Sequence, residues 1–343
     1  MTYRSFVGLA LALACLAGCA SNDYPDPEGT AGWDEVAQTK VPPLAAPKDS
    51  GQGVAVEPAQ LSFRPAEGEG ASGTLRTMVR FQLGGAGRYD DREASVGPGE
   101  MGGQPDARIR SQLSWRREGD AIVVRYGPQR IEGAAGEVDS EGGELSGELL
   151  LDANALRAGK ELRARVNEGK VLEVEGREAL VEAITAELVA RGQTVTRAQV
   201  DEKLSEKSLR QELQAVFLPL PGHEVQPGAT WSHTLSSPAK VVPTAVQEHV
   251  YLGVVERPEG PCAKVWVRQS GPMKDEVDEK GTRSLVGARH GGAFAYVRLS
   301  DGVLISREQI ELECDILIGT DPSDDLVITI GMNLEIASSW LPK

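Results

Sequence analysis

The chain is poor in several residue types, and each shortage removes a class of function. Aromatic residues make up only 5% of its 343 positions, too few for a stacking platform on which bases or sugars would lie as the dominant feature. Lysine and arginine number 36 against 51 aspartates and glutamates, giving a formal net charge of −15, and a field of that sign does not attract nucleic acid or anionic lipid. There are four histidines, His223, His233, His249 and His290. None stands at metal-ligand spacing from another His or a Cys, so they read as ordinary strand and loop residues and no metal is expected. The stretches Gly84-Gly85-Ala86-Gly87 and Gly133–Gly136 lack the Lys-Ser/Thr of a phosphate-binding loop and read as plain loops. No serine sits in a G-x-S-x-G elbow. The acidic clusters Asp275-Glu276-Asp278-Glu279 and Asp321-Asp324-Asp325 lack the ligand order of a calcium loop and read as solvated hairpin tips. No cofactor is expected.

What the chain does have begins at its start. Arg4 precedes an apolar stretch of 11 residues, Phe6 to Leu16. That is too short to cross a ~30 Å hydrocarbon core as a helix and suits the apolar region of a signal peptide. Leu16-Ala17-Gly18-Cys19 follows and resembles the bacterial lipobox. The resemblance implies cleavage before Cys19, lipidation of its thiol, and attachment to a membrane through that lipid, because more than one acyl chain makes anchoring effectively stable. Ala20 and Ser21 after the cysteine, where aspartate would favour inner-membrane retention, imply sorting to the outer membrane. Loss of residues 1–18 removes Arg4 and no acid, leaving −16.

Two cysteines then remain, Cys262 and Cys314, in an oxidising compartment that permits one disulfide. The pattern argues both ways. Cys314 shares the apolar face of Ile310-Leu312-Cys314-Ile316-Ile318, whereas Cys262 alternates with Lys264 and Trp266 opposite Val265 and Val267. Thiols that point to opposite faces cannot be bridged.

Residues 19–70 are rich in Pro, Ala, Gly and Glu and read as a disordered tether of roughly 40 Å mean extension. From residue 71 to 343 the pattern is that of one β-rich globular domain. Leu75, Thr77, Val79, Phe81 and Leu83 alternate with polar residues, as do Ile109, Ser111, Leu113 and Trp115, and most clearly Leu326-Ile328-Ile330-Met332-Leu334-Ile336. Such period-2 alternation marks antiparallel strands with one face in water. Glu118-Gly119-Asp120, Asn167-Glu168-Gly169, Pro258-Glu259-Gly260-Pro261 and Asp301-Gly302 read as hairpin turns. Two helices interrupt the strands near 177–191 and 196–217. The first carries Leu180, Val181, Ile184, Leu188 and Val189 on one face; the second opens on a Thr196/Gln199 capping box and ends at Pro219. Their apolar side chains Ile184, Leu188, Leu204 and Leu213 are expected to face Ile310, Leu312 and Ile330.

The fold expected is mainly β with a central helix pair, an α+β arrangement. Its antiparallel sheet is curved, either into a partial barrel or into a two-sheet sandwich. The stretch Leu218-Pro219-Leu220-Pro221-Gly222, then Val225-Gln226-Pro227-Gly228-Ala229-Thr230-Trp231, resembles a pattern in an uncharacterised family of β-rich bacterial lipoproteins, which implies no activity. Arg76, Arg80, Arg108 and Arg110, with Arg116 and Arg125 nearby, fall opposite or beside the apolar positions of the first strands and could form a surface for anionic groups. The function expected is that of a non-enzymatic envelope lipoprotein that binds a hydrophobic ligand or an envelope protein, or serves a structural role. A hydrolase of envelope polymers is the alternative.

Overall fold

A computed structural model describes residues 53–89, 92–96, 107–133, 136–141, 145–147, 149–235, 245–271, 274–277, 283–286, 289–319 and 326–342, with the side chains of some strand residues left out. The first half of the chain contributes β1 (Ala59–Leu61), β2 (Gly70–Tyr89), β3 (Arg92–Val96), β4 (Ala107–Glu118), β5 (Ala121–Gly133), β6 (Gly136–Asp139), α1 (Leu149–Ala155), β7 (Glu161–Asn167) and β8 (Lys170–Glu175). Then come three helices, α2 (Arg177–Ala190), α3 (Arg197–Lys203) and α4 (Glu206–Gln214). The second half adds β9 (His223–Val225), β10 (Thr230–Leu235), β11 (Ala245–Arg257), β12 (Gly260–Gly271), β13 (Lys274–Val277), β14 (Arg283–Val286), β15 (Arg289–Arg298), β16 (Leu304–Gly319) and β17 (Leu326–Pro342).

Fifteen of these strands form one antiparallel sheet whose main path runs β10-β11-β12-β15-β16-β17-β2-β4-β5-β7-β8. The sheet is therefore two meanders joined where β17 pairs with β2, and it is not closed into a barrel. The only other sheet among the described residues is the β1–β9 pair. The sheet nevertheless curls. Its two edge strands come close enough for Lys170 on β8 to act electrostatically on His233 on β10.

Hairpins form at the turns expected from sequence, as Glu118 paired with Ala121, Asn167 with Lys170, and Arg257 with Gly260 show. The Gly84–Gly87 segment is not a loop. It lies inside β2, paired with Leu326 to Thr329. Glycine lacks a β-carbon but keeps both backbone hydrogen-bonding groups, so a long partner strand can hold it extended.

The helices lie on the inner face at one end. Leu180, Val181, Ile184 and Leu188 of α2, Val200 of α3, and Leu209 and Leu213 of α4 are buried in one cluster with Trp115, Val124, Leu162 and Ala164 of the sheet. The cross-strand row Ala71–Trp115–Val124–Leu162 supplies the middle of that floor. Phe63, Trp115 and Phe217 pack with ring centroids 5.6–5.9 Å apart. The main contacts of the helices with the sheet are to β5 to β8, and the side chains of Ile310, Leu312 and Ile330 lie outside those described. The second expected helix is broken at Leu204, because the Ser205 hydroxyl accepts from the Ser208 backbone N–H at 3.2 Å and so caps a new helix. Gln214, buried at the end of α4, ties it to β8 by accepting from Val171 N (3.0 Å) and donating to Gly169 O (2.9 Å).

The fold starts earlier than the composition implied. Residues 54–69, expected in the tether, form a strap across one end of the sheet. Ala55 bridges Val254, β1 pairs with β9, and Ala59 and Leu61 are buried. The Phe63 N–H reaches Glu168 Oε2 at 2.8 Å, and Arg64 N reaches Asp301 O at 2.7 Å. Glycine makes two of these approaches feasible. A β-carbon on Gly253 (φ +139°) would lie 2.3 Å from the Ala55 carbonyl, and one on Gly302 (φ +73°) would lie 2.1 Å from that of Ser62. The lipobox and the remainder of the expected tether, residues 1–52, lie outside the described residues.

Candidate functional site

On antiparallel strands, residues directly opposite each other share a face of the sheet. By that rule Arg76, Arg110 and Arg130 form a row across β2, β4 and β5 on the outer face, where all three are exposed. Arg108 lies beside them opposite Glu132, and Arg80 pairs in backbone register with Asn333. Carboxylates are interleaved with these cations. Arg130 meets Glu132 at 3.2 Å and Glu137 at 2.9 Å, Arg108 meets Glu132 at 3.9 Å, and Arg165 meets Glu173 at 2.9 Å. A cleft of about 370 Å³ between α2 and strands β5 and β7 is charged in the same way, with Arg163 on Glu118 at 3.2 Å and Lys160 on Glu187 at 3.3 Å. Water and opposite charge satisfy most of this face, and exposed pairs of this kind hold ligands weakly.

The inner face differs. Beyond the helix-covered apolar floor runs a second cross-strand row, Ala295–Arg307–Ser338–Leu75–Ser111–Gln129, spanning β15 to β5. On the same face, Gln247 and His249 of β11 reach the row through Val267 and Ala293. Gln247, His249, Arg307, Ser338, Ser111 and Gln129 are all buried. Arg307 is only 6% exposed, and its Nε is enclosed without an acceptor among the described residues. The Ser338 hydroxyl, both amide atoms of Gln129 and Trp340 Nε1 are likewise enclosed without partners among the described residues, while the buried His249 ring interacts with the Trp231 backbone.

Electrostatics place His249 and Arg307 near one another. The imidazole is held down to about 3 by burial first, then by the Arg307 charge and by His233, against a smaller opposing influence of the Trp231 backbone. It is neutral at pH 7. Its ring stacks on Trp231 with centroids 5.3 Å apart and planes 6° from parallel. Burial alone lowers the Arg307 guanidinium, to about 10, and it remains charged at pH 7. A buried cation left without a partner costs several kcal/mol. Among the described residues, no carboxylate pairs with this inner-face charge.

Sequence reasoning had taken His249 for an ordinary histidine and had not singled out Arg307, Ser338, Gln247 or Gln129. Trp231 lies near the start of β10, and its Nε1 donates to the Pro219 carbonyl at 2.8 Å. The disulfide is not present. Cys262 is a buried free thiol, pushed up to about 11 chiefly by burial, which leaves it protonated and unreactive. It pairs with Arg298 at one end of β15, whereas Glu313, next to Cys314, pairs with His290 at the other end. Eight strand residues at ~3.3 Å separate those two ends by roughly 26 Å, far beyond disulfide reach.

Among the described residues no group of three or more His, Cys, Asp or Glu could hold a metal ion. No helix there is long and apolar enough to cross a membrane.

Residues 135–251 match a family of unknown function, DUF6263. That segment runs from the β5–β6 turn through the helices into β11, about a third of the chain. No curated protein matches. Among solved structures, the chain is similar to a Bacteroides fragilis protein described as a candidate exported protein with a YmcC-like fold. The two are 8% identical over 80% of this chain and 98% of that one, with a TM-score of 0.18. At that score the superposition carries no argument.

Proposed function

We propose that this chain is a lipid-anchored protein of the bacterial envelope that binds a ligand, without transforming it, against the inner face of its open sheet. One observation carries the binding half of this reading: the row of buried polar side chains around Arg307, with polar atoms enclosed without partners among the described residues. Buried polar groups are normally satisfied, and those that are not call for an explanation. A ligand that meets them supplies one. His249 and Ser338 share the inner face without a hydrogen bond between them. An imidazole held near 3 is also a weak base at neutral pH, where a general base works best with a pKa close to the medium's.

The anchoring half rests on Leu16-Ala17-Gly18-Cys19 and the apolar run before it, with Ala20 and Ser21 favouring the outer membrane. Fractionation of cells fed labelled palmitate tests it. The wild type should carry label and sediment with outer membranes, whereas Cys19→Ala should be unlabelled and soluble. An unlabelled wild type that still sediments would refute the lipid anchor. Native mass spectrometry of the Cys19→Ala chain, isolated without detergent, tests the binding half through a non-covalent adduct.

A further inference from the structure

The chemistry of the inner row narrows what the ligand is. We infer that the site takes an anionic oxygen group, a carboxylate or phosphate, seated on Arg307 and Ser338 beside His249, with the apolar remainder of the ligand on the surrounding sheet floor. This rests on the binding role proposed above and gives it a chemical class.

Three features support it. Arg307 is buried with its Nε lacking an acceptor among the described residues, and its planar fork of donors matches two oxygens of a carboxylate or phosphate. Ser338 is its direct cross-strand neighbour with a free hydroxyl, and neutral His249 adds one ring N–H as donor. Among the described residues beside Arg307 and His249, Leu75, Ala293, Ala295 and Val267 are apolar and buried on the same face, with Gln247 and Gln129 at the two ends of the polar set. A site with a single cation on an apolar floor suits a ligand with a single charge and a hydrocarbon body. The chain's formal net charge of −15 repels anions at long range. Selection therefore falls on ligands able to leave water and reach the buried cation.

The test is a binding titration on the full-length chain carrying Cys19→Ala, followed by calorimetry and native mass spectrometry. The probes are palmitate, hexadecanol (the same chain without charge) and inorganic phosphate. The wild type should prefer palmitate over hexadecanol by about ten- to a hundred-fold, the usual worth of a hydrogen bond to a charged group. Arg307→Met should abolish that preference while leaving hexadecanol affinity unchanged, and Ser338→Ala should reduce it several-fold. Should Arg307→Met fail to fold, Arg307→Lys carries the same test, keeping the charge but losing the fork and so part of the preference. Inorganic phosphate bound more tightly than palmitate, in a manner abolished by the same substitutions, would support the site and assign it to a free anion and not to an amphiphile. Equal affinity for palmitate and hexadecanol, unchanged in Arg307→Met, would overturn the anionic assignment while the binding reading stands. No binding of any probe, with only the bare mass of the chain after isolation from envelopes, would overturn both.

Discussion

On the outer face of the sheet, Arg130 sits half in water with Glu137 at 2.9 Å and Glu132 at 3.2 Å. On the inner face of the same sheet, Arg307 is buried and meets no carboxylate among the described residues. The residue type is the same and the energetic situation is reversed. Outside, each guanidinium keeps most of its hydration, and its ion pair adds a few tenths of a kcal/mol. Inside, the Arg307 Nε is shut off from water and no acceptor among the described residues replaces it. Counting arginines points to the outer face, where six of them draw attention in the sequence. Asking what each has lost on folding points to the one inside.

This contrast can be tested by perturbing each face in turn. The largest effect should come from the apolar part of the inner face. Phe217→Ala breaks the packing of Phe63, Trp115 and Phe217 and should cost ~3–5 kcal/mol in urea unfolding, in line with other buried aromatic truncations. A loss below ~1 kcal/mol would mean that this end is not close-packed. A smaller effect should appear with acid. His249 has its pKa depressed from an ordinary 6.5 to about 3 in the folded chain. Its contribution is therefore complete above about 6.5 and is lost as pH falls from there toward about 3, because the unfolded chain takes up the proton first. His249→Phe should flatten that part of the stability–pH curve; a curve unchanged by the substitution would place the acid sensitivity elsewhere. The smallest effect belongs outside. Arg130→Ala should alter stability by no more than ~0.5 kcal/mol, with little dependence on salt above 0.15 M. A loss of several kcal/mol there would erase the distinction between the two faces.

The alternation of residues was enough to read the sheet, its antiparallel sense and four of its hairpin turns. It was not enough to read the inner row, for a definable reason. Counting back from Ile310 in steps of two assigns Arg307 to the polar side with Gln309, Glu311 and Glu313. A bulge between Arg307 and Ile310 breaks that count, so Arg307 pairs with Ser338 and turns inward. A second irregularity between Ser111 and Leu113, opposite Gly127 and Pro128, places Gln129 inside in the same way. Pro128 was the available clue, since proline within a strand marks a bulge or an edge. The strap at 54–69 was missed because its docking depends on partners far away in sequence, such as Glu168, Val254 and Asp301. Helix α1 was missed because seven residues are too few for a 3.6 period to show. It is positioned by Asp152, which reaches back to accept from Ser146 N at 2.7 Å and Gly147 N at 3.0 Å.

The pairing of β2 with β17 also bears on how the chain reaches this state. Ala71 lies beside Pro342 and Leu83 beside Ile330, so strands from opposite ends of the sequence meet in the middle of the sheet. Most other neighbours on the path are hairpin partners that can zip up locally as soon as they are made, but this seam can close only when both halves are available. The entropy of closing so long a loop comes before any contact rewards it, and that makes the seam a slow step. Until then two of the longest strands each expose an unpaired edge, the kind of surface that joins strands of different molecules. The same seam that makes one sheet of two meanders thus sets a period of vulnerability during folding, and shielding during that period matters more for this chain than for a protein of equal size built from local contacts.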